Sequence, residues 1–242
     1  MGTGVAAIVL AGGSGSRVQQ EINKVYLPIG DREMLRYSLE TMANSPEIDR
    51  IVLVIRPEDR DTAQGIVDDL DTGTPVELVP GGESRHGSER AGLEALAPGI
   101  DEGSVSIVAI HDGARPFMTT ELLHAVLKGA RTTGGAVPGM PVEEALYRVS
   151  EEGAHPLDPS TLVKVQTPQA FAAAPLLAAY RKALDAGFEG VDTAETVERF
   201  SDLDVEVVPG DPWNVKVTFI EDFFAAEEYV LGWEDGAWRR PD

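Results

Sequence analysis

Val5-Ala6-Ala7-Ile8-Val9-Leu10-Ala11-Gly12-Gly13-Ser14-Gly15-Ser16-Arg17 is the stretch around which the rest of the chain is read. Val5 to Leu10 is a short apolar run of the kind that forms a strand buried on both faces. Three glycines then arrive within four residues. Without Cβ atoms, glycines let backbone N–H groups approach an anion and point at it. Arg17 and Lys24 lie on the same connection, seven residues apart. Strand, glycine loop and two cations suit a triphosphate, which amides cradle and fixed positive charge neutralises. A glycine turn with two solvated cations is the plainer alternative, but it leaves their arrival together at one strand end unexplained.

Two commoner phosphate motifs are excluded. G-x-G-x-x-G starting at Gly13 meets Val18 at its last position, and no Gly-Lys pair is followed by Ser or Thr. The loop instead resembles the signature of nucleotidyltransferases that form sugar nucleotides, L-A-G-G-x-G-x-R followed by a lysine.

With 242 residues, 43% of them hydrophobic, the chain can bury a sizeable core. The expected organisation is a single domain over 1–232, with an excursion at 141–166 and a tail at 233–242. The absence of cysteine excludes disulfides, thiolate catalysis and a cysteine zinc site. His86, His111, His124 and His155 have no metal-ligand spacing. Apolar runs are too short to span a bilayer and the N-terminus has no signal-like segment, so a cytoplasmic location is expected. A formal net charge of −21 disfavours nucleic acid and anionic membranes as partners. It also repels a free nucleoside triphosphate at long range, so the cations near the glycine loop must form a local positive island.

Further along, apolar runs and helical patterns alternate. Asp31–Asn44 reads as a helix capped by Asp31, Ile51–Ile55 as a strand and Glu58–Leu70 as a helix. Val76–Val79 is a strand ending at Pro80-Gly81-Gly82, Ser84–Leu96 a helix and Val105–Ile110 a strand running into His111-Asp112-Gly113-Ala114-Arg115-Pro116. Thr119–Arg131 is a helix and Gly135–Pro138 a short strand. The alternation predicts an α/β fold, a Rossmann-like, mostly parallel, doubly wound sheet. Its ligands are expected beyond the carboxyl ends of the strands. An Asp directly after an apolar strand can hold a metal ion or a ligand hydroxyl, or serve as a turn former. In the excursion, Ala145–Ser150 and Leu162–Gln166 are alternating stretches flanking a Gly/Pro/acidic loop, expected to form a β-arm. Helices are expected at Pro175–Ala186, Asp192–Phe200 and Glu221–Leu231, and strands at Val205–Val208 and Asn214–Thr218.

The glycine loop, Gly81-Gly82, H-D-x-A-R-P, T-P-Q at 167–169 and N-x-K-V-T at 214–218 occur in that order. Together, from about Val5 to Tyr229, they closely resemble the cytidylyltransferases that include the methylerythritol-phosphate and ribitol-phosphate enzymes. The resemblance implies a nucleotide-diphospho-sugar-transferase type of fold, a homodimer with contacts through the arm, and a Mg²⁺-dependent reaction. CTP and a small polyol phosphate would give a CDP-polyol and pyrophosphate, with 2-C-methyl-D-erythritol 4-phosphate of isoprenoid precursor synthesis as the default acceptor. It also implies the site. Ala11, Gly12, Gly13 and Gly15 form the triphosphate loop, and Arg17, Lys24 and Lys216 are the catalytic cations. Gly82, Glu83 and Ser88 recognise cytosine and ribose, with Arg85 in the same turn. Asp112 and Gly113 lie beside ribose and metal, Asp112 as the metal ligand, and Arg115, Thr167 and Asp192 face the acceptor.

The departures from the family lie mostly on the acceptor side. Glu144-Ala145 stands where D-T is common, Val191-Asp192 where T-D is common, and Asn23 where a proline precedes the lysine. Leu157-Asp158-Pro159 replaces V-D-R, removing an arginine that reaches an acceptor phosphate across the dimer; Arg148, Lys164 and Arg181 are nearby cations that could stand in. Ribitol 5-phosphate or another small phosphate or phosphonate is therefore the alternative acceptor. A nucleotidyltransferase for another base and a non-catalytic nucleotide-binding protein are the remaining alternatives.

Overall fold

The computed structural model describes residues 4–13 and 23–230, and the backbone alone at 233–234 and 237–238. Its elements in order are β1 (Gly4–Leu10), the short pair β2 (Pro28–Ile29) and β3 (Arg32–Glu33), α1 (Met34–Ala43), β4 (Arg50–Ile55), α2 (Arg60–Asp68), β5 (Val76–Pro80), α3 (Arg85–Asp101), β6 (Val105–Asp112), α4 (Thr120–Thr133) and β7 (Gly134–Pro141). They continue with β8 (Tyr147–Ser150), β9 (Gly153–Pro156), β10 (Val163–Val165), β11 (Gln169–Ala172), α5 (Ala173–Asp185), α6 (Thr193–Phe200), β12 (Asp204–Pro209), α7 (Ile220–Tyr229), β13 (Trp233–Glu234) and β14 (Ala237–Trp238). The main sheet has the order β10-β7-β11-β6-β1-β4-β5, with β12 also paired to β7. Pairs β6/β1, β1/β4, β4/β5 and β7/β12 are parallel, whereas β11 runs antiparallel between β6 and β7.

Why β1 is apolar throughout follows from its position. Val5, Ala7 and Val9 enter one core with Met34, Leu35 and Leu39 of α1 and Leu123 and Leu127 of α4. Ala6 and Ile8 enter the other, with Leu93 and Leu96 of α3, Tyr180 of α5 and Val197 of α6. A strand covered on both faces has no side to leave polar. The chain leaves β1 for β4 on one side and later returns through β6 on the other, so the crevice between β1 and β6 is a topological switch point. Leu10 and Asp112 face each other in register at its mouth.

Several local expectations are corrected. Asp31 does not cap α1: the β2/β3 turn precedes the helix, and Glu33 holds the cap position without a side-chain hydrogen bond. Strand β6 runs through His111 and Asp112. The two alternating stretches of the excursion do not pair with each other. β8 folds back on β9, whereas β10 joins the sheet beside β7. Asn214–Thr218 is an extended loop outside the sheet. The tail carries a short antiparallel pairing, β13 with β14.

Candidate functional site

Backbone hydrogen bonds fasten the strand ends together. Ala11 N donates to Val54 O (2.8 Å), Gly81 N to Ile55 O (2.8 Å) and Gly113 N to Leu10 O (3.0 Å). Ala11 and Gly12 therefore sit at the ends of β4 and β6, Gly12 against Ser88 and Ile55, and Gly13 follows them facing open space. Gly15 and Arg17 lie outside the described residues. Glycine is required by close approach at two of these positions. A Cβ on Gly82 would lie 2.7 Å from the Gly87 carbonyl carbon, and one on Gly113 would lie 2.9 Å from Leu35 Cδ1 and 3.0 Å from Leu10 O.

Lys24 begins a single 3-10 turn, Lys24–Tyr26, whose position is set by Asn23. The buried Asn23 amide donates to Ala11 O and to Asp59 Oδ2 (3.3 Å), and its Oδ1 accepts from Val25 N. Asp59 is itself gripped by Arg56 through two hydrogen bonds of 2.7 Å. The residue that departs from the family's proline thus ties the lysine segment to the start of the glycine loop.

On the other side, Ser84 caps α3 by accepting from Gly87 N (3.0 Å). Ser88, one turn into the helix, accepts from Gly82 N (3.2 Å), and Glu83 is exposed at the tip of this turn. A polar hydroxyl, a backbone edge and an exposed carboxylate are thereby presented next to the glycine loop.

Asp112 is the centre of the cluster. Its side chain is 8% exposed, with Oδ1 2.7 Å from Arg85 Nη1 and Oδ2 2.8 Å from Lys216 Nζ; Arg115 Nε is 3.8 Å away. Burial alone would raise the carboxyl's pKa, but Arg85, Lys216 and Arg115 overcome it and hold the group well below the ordinary carboxylate range. Arg115 is shifted down, because burial and the nearby Arg85 outweigh the attraction of Asp112. Its Nη1 donates to Asn214 O (2.7 Å), while its buried Nε has no hydrogen-bond partner.

Lys216 reaches Asp112 because of loop lacing, since no strand carries it. Val217 N donates to Ala114 O (2.9 Å), and Asn214 Nδ2 donates to Thr167 O (2.8 Å). Gln166 holds Asp211 through both ends of its amide. Thr167 is equally fixed. Its hydroxyl accepts from Asp112 N (3.0 Å) and faces His111 Nδ1 (3.1 Å), while His111 Nε2 faces Arg115 O (3.1 Å). A carbonyl only accepts, so Nε2 carries the ring proton and Nδ1 accepts from the threonine. His111 is fully buried, and burial lowers its pKa to about 4.

Arg85, Lys216, Arg115, Thr167 and Gly113 thus converge on Asp112, with Ala11–Gly13, Gly82 and Ser88 along the same strand ends. Asp192 sits further off as the N-cap of α6, accepting from Glu195 N (2.9 Å) and from Gln169 Nε2 (3.2 Å). Sequence reasoning missed Glu89, His111, Gln166 and Asn214 as supports of the site. Arg85 and Glu89 stand at i,i+4 spacing, and His111 and Asn214 stand in the H-D-x-A-R-P and N-x-K-V-T motifs, whereas Gln166 carried no signal of its own. Among the described residues, Arg85, Arg115 and Lys216 gather positive charge round Asp112 beside Ala11 and Gly12, with Glu89 as a second carboxylate on Arg85.

Comparison with known proteins points to one family. The family model for 2-C-methyl-D-erythritol 4-phosphate cytidylyltransferase matches residues 5–231. The enzyme of that name from Caldanaerobacter subterraneus subsp. tengcongensis is 34% identical over 230 residues, covering 93% of this chain and 98% of the relative. The one from Cereibacter sphaeroides is 38% identical over 229 residues, covering 93% and 96%. The crystal structure of 4-diphosphocytidyl-2C-methyl-D-erythritol synthase from Anaerococcus prevotii superposes with a TM-score of 0.83 at 29% identity, covering 94% of this chain and 98% of that one. The chain therefore belongs to the 2-C-methyl-D-erythritol 4-phosphate cytidylyltransferase family.

Proposed function

We propose that this protein transfers the cytidylyl group of CTP to 2-C-methyl-D-erythritol 4-phosphate and releases pyrophosphate. The observation that carries the reading is Asp112. It faces Leu10 at the mouth of the glycine loop and is shared by Arg85 and Lys216, cations from opposite halves of the chain. An acceptor phosphate oxygen forms a bond to the α-phosphorus of CTP while the bond to the pyrophosphate oxygen breaks and the electron pair leaves with it. The nucleophile is already ionised near neutral pH, since a phosphate monoester's second pKa is about 6, so no general base is needed. Catalysis then consists of holding two anions together and stabilising charge on the crowded phosphorus.

In this reading Ala11, Gly12, Gly13 and Gly15 offer amides to the triphosphate, and Arg17, Lys24 and Lys216 neutralise it. Gly82, Glu83 and Ser88 take the cytosine and ribose, with Gly113 beside them. Arg115, Thr167 and Asp192 face the acceptor. Mg²⁺ belongs to the same proposal. Among the described residues no three His, Asp or Glu side chains are grouped as a metal cage. Mg²⁺ commonly takes one or two carboxylates together with phosphate oxygens and water, so the Asp112 carboxylate, with lone pairs beyond those that Arg85 and Lys216 use, fits an ion carried mainly by the triphosphate. Bound there, the ion would neutralise phosphate oxygens.

The excursion at 141–166 is proposed as the contact between two copies within a single 1–232 domain. Leu146, Tyr147 and Val149 are exposed on it, and a lone two-stranded hairpin is marginal in water. Among the described residues no helix is long and apolar enough to cross a membrane, and we place the reaction in the cytoplasm, without nucleic-acid partners.

A different acceptor is favoured by one observation. Pro159 opens a 3-10 turn where the resemblance expects an arginine, and two of the three nearby cations are engaged within the chain: Lys164 with Glu144 (3.2 Å) and Arg181 with Glu94 (2.9 Å). Arg148 is exposed on the hairpin. The test is pyrophosphate release with CTP and a panel of acceptors, including ribitol 5-phosphate and phosphonates, ranked by kcat/KM. Leadership by methylerythritol 4-phosphate supports the main reading. A lead by another acceptor, with a gain on methylerythritol 4-phosphate in Pro159→Arg, supports the alternative. No pyrophosphate with any acceptor overturns both.

A further inference from the structure

Behind the nucleotide side of the site lies a carboxylate that the reaction as described does not use. Glu89 is fully buried at the second turn of α3, against a layer built from Tyr180, Leu93 and Val197. Its Oε1 accepts from Arg85 Nε (3.0 Å) and Thr193 Oγ1 (3.0 Å), and its Oε2 accepts from Tyr180 OH. The three donors come from α3, α5 and α6. An apolar side chain would suit this layer without desolvating a charge, so the buried carboxylate calls for another explanation.

That explanation is visible at Arg85. Its guanidinium spans two buried anions, with Nε on Glu89 and Nη1 on Asp112 (2.7 Å). A planar guanidinium held at Nε has its remaining N–H directions fixed. Arg85 therefore occupies Asp112 Oδ1 and leaves Oδ2 to Lys216. Arg85 Nη2 is buried with no hydrogen-bond partner, as expected of a fork whose orientation is dictated at its other two nitrogens.

We propose that Glu89 is a positioning residue. It anchors the Arg85 fork so that Asp112 presents one oxygen to Lys216, and Tyr180 and Thr193 hold Glu89 in place. The effect on turnover rests on the cytidylyl-transfer reading; the effect on Arg85 does not.

Two measurements test it. The first needs no substrate. In ¹⁵N-labelled protein the Arg85 Nε–H resonance, identified by its loss in Arg85→Lys, should exchange slowly with water, and Glu89→Gln should speed that exchange at least tenfold. Unchanged protection in Glu89→Gln overturns the proposal. The second is a double-mutant cycle on pyrophosphate release. Glu89→Gln should lower kcat about tenfold with the KM for CTP changed less than about threefold, yet lower it less than twofold in an Arg85→Gln background. Equal losses in both backgrounds would mean that Glu89 does not act through Arg85. Should Glu89→Gln fail to fold, Thr193→Val, which retains the carboxylate but removes one of its donors, enters the same cycle. It should show a smaller loss, again only when Arg85 is present. A parent protein without turnover but with a protected Arg85 resonance that Glu89→Gln releases would overturn the reaction and leave the positioning role standing.

Discussion

Replacing Asp112 by Asn keeps the shape of the side chain and removes the charge that three cations share. Arg115 is then left largely buried without a carboxylate beside it, whereas Arg85 keeps Glu89 at 3.0 Å and Lys216, 40% exposed, can turn to water. Breaking a buried pair by deleting one partner costs roughly 3–5 kcal/mol, and the exposure of Lys216 together with the Glu89 partner that Arg85 keeps places this case near the low end, about 3. For a chain of this size each kcal/mol shifts Tm by about 2–4 °C, so Asp112→Asn should melt about 6–12 °C below the parent at neutral pH. The pH dependence follows from the direction of the shift. Asp112 has its folded pKa depressed, so its contribution is fully present above the unfolded value of about 4 and is lost as pH falls through the lower folded value. Melts of both proteins from pH 8 to 3, by circular dichroism, should show a constant gap down to about pH 4 and a narrowing gap below it. Equal stability at pH 7, or a gap that already closes between pH 7 and 5, would refute the shared-counter-ion argument.

His111 carries the opposite charge logic: neutral when folded, with its pKa lowered by burial to about 4, it makes the unfolded state the stronger proton binder below about pH 6.5. Stability should fall from pH 6.5 to 4 by up to about 3 kcal/mol, and His111→Asn, which can keep a donor and an acceptor, should flatten that slope in urea titrations. Arg17→Ala, Lys24→Ala and Lys216→Ala should each lower turnover on the order of 100-fold in folded protein; near-parental rates in any two would remove the phosphate clamp. Deletion of 143–159 should give a monomer by sedimentation that still binds CTP, and a monomeric parent would defeat the dimer proposal.

The sheet was legible because its signal is local. Val5–Leu10, Ile51–Ile55 and Val105–Ile110 are apolar runs of the kind a strand covered on both faces requires, and each is followed by a turn carrying glycine or acid. The convergence of the glycine loop, Gly82 and Asp112 followed from the rule that parallel strands present their carboxyl ends to one side. The excursion was legible as an arm but not in its pairing, because alternation predicts a strand but not its partner. Tyr147–Ser150 and Val163–Val165 both alternate, and the first found Gly153–Pro156 while the second found the free end of β7.

Lys216 shows where such reading stops. Val215-Lys216-Val217-Thr218 has β-branched residues in strand-like sequence, yet no sheet partner takes it. Its backbone is fixed by Ala114 and its neighbour Asn214 by Thr167, contacts separated by about a hundred and about fifty residues along the chain. Nothing in a window of ten residues encodes such lacing. The side chain's placement depends on it all the same, because a lysine's flexible stem must be delivered close to Asp112 before its charge can act there. The acidity of the whole molecule sharpens the point. With a net charge of −21, a cation that is merely near the site in sequence would be surrounded by competing surface carboxylates, as Lys164 is by Glu144 and Arg181 by Glu94. Among the described residues, Arg85, Arg115 and Lys216 stay together at the strand ends with Asp112, a carboxylate that is itself part of the cluster. Asp112 thus selects among the basic residues of an acidic chain, and that selection can be seen only in three dimensions.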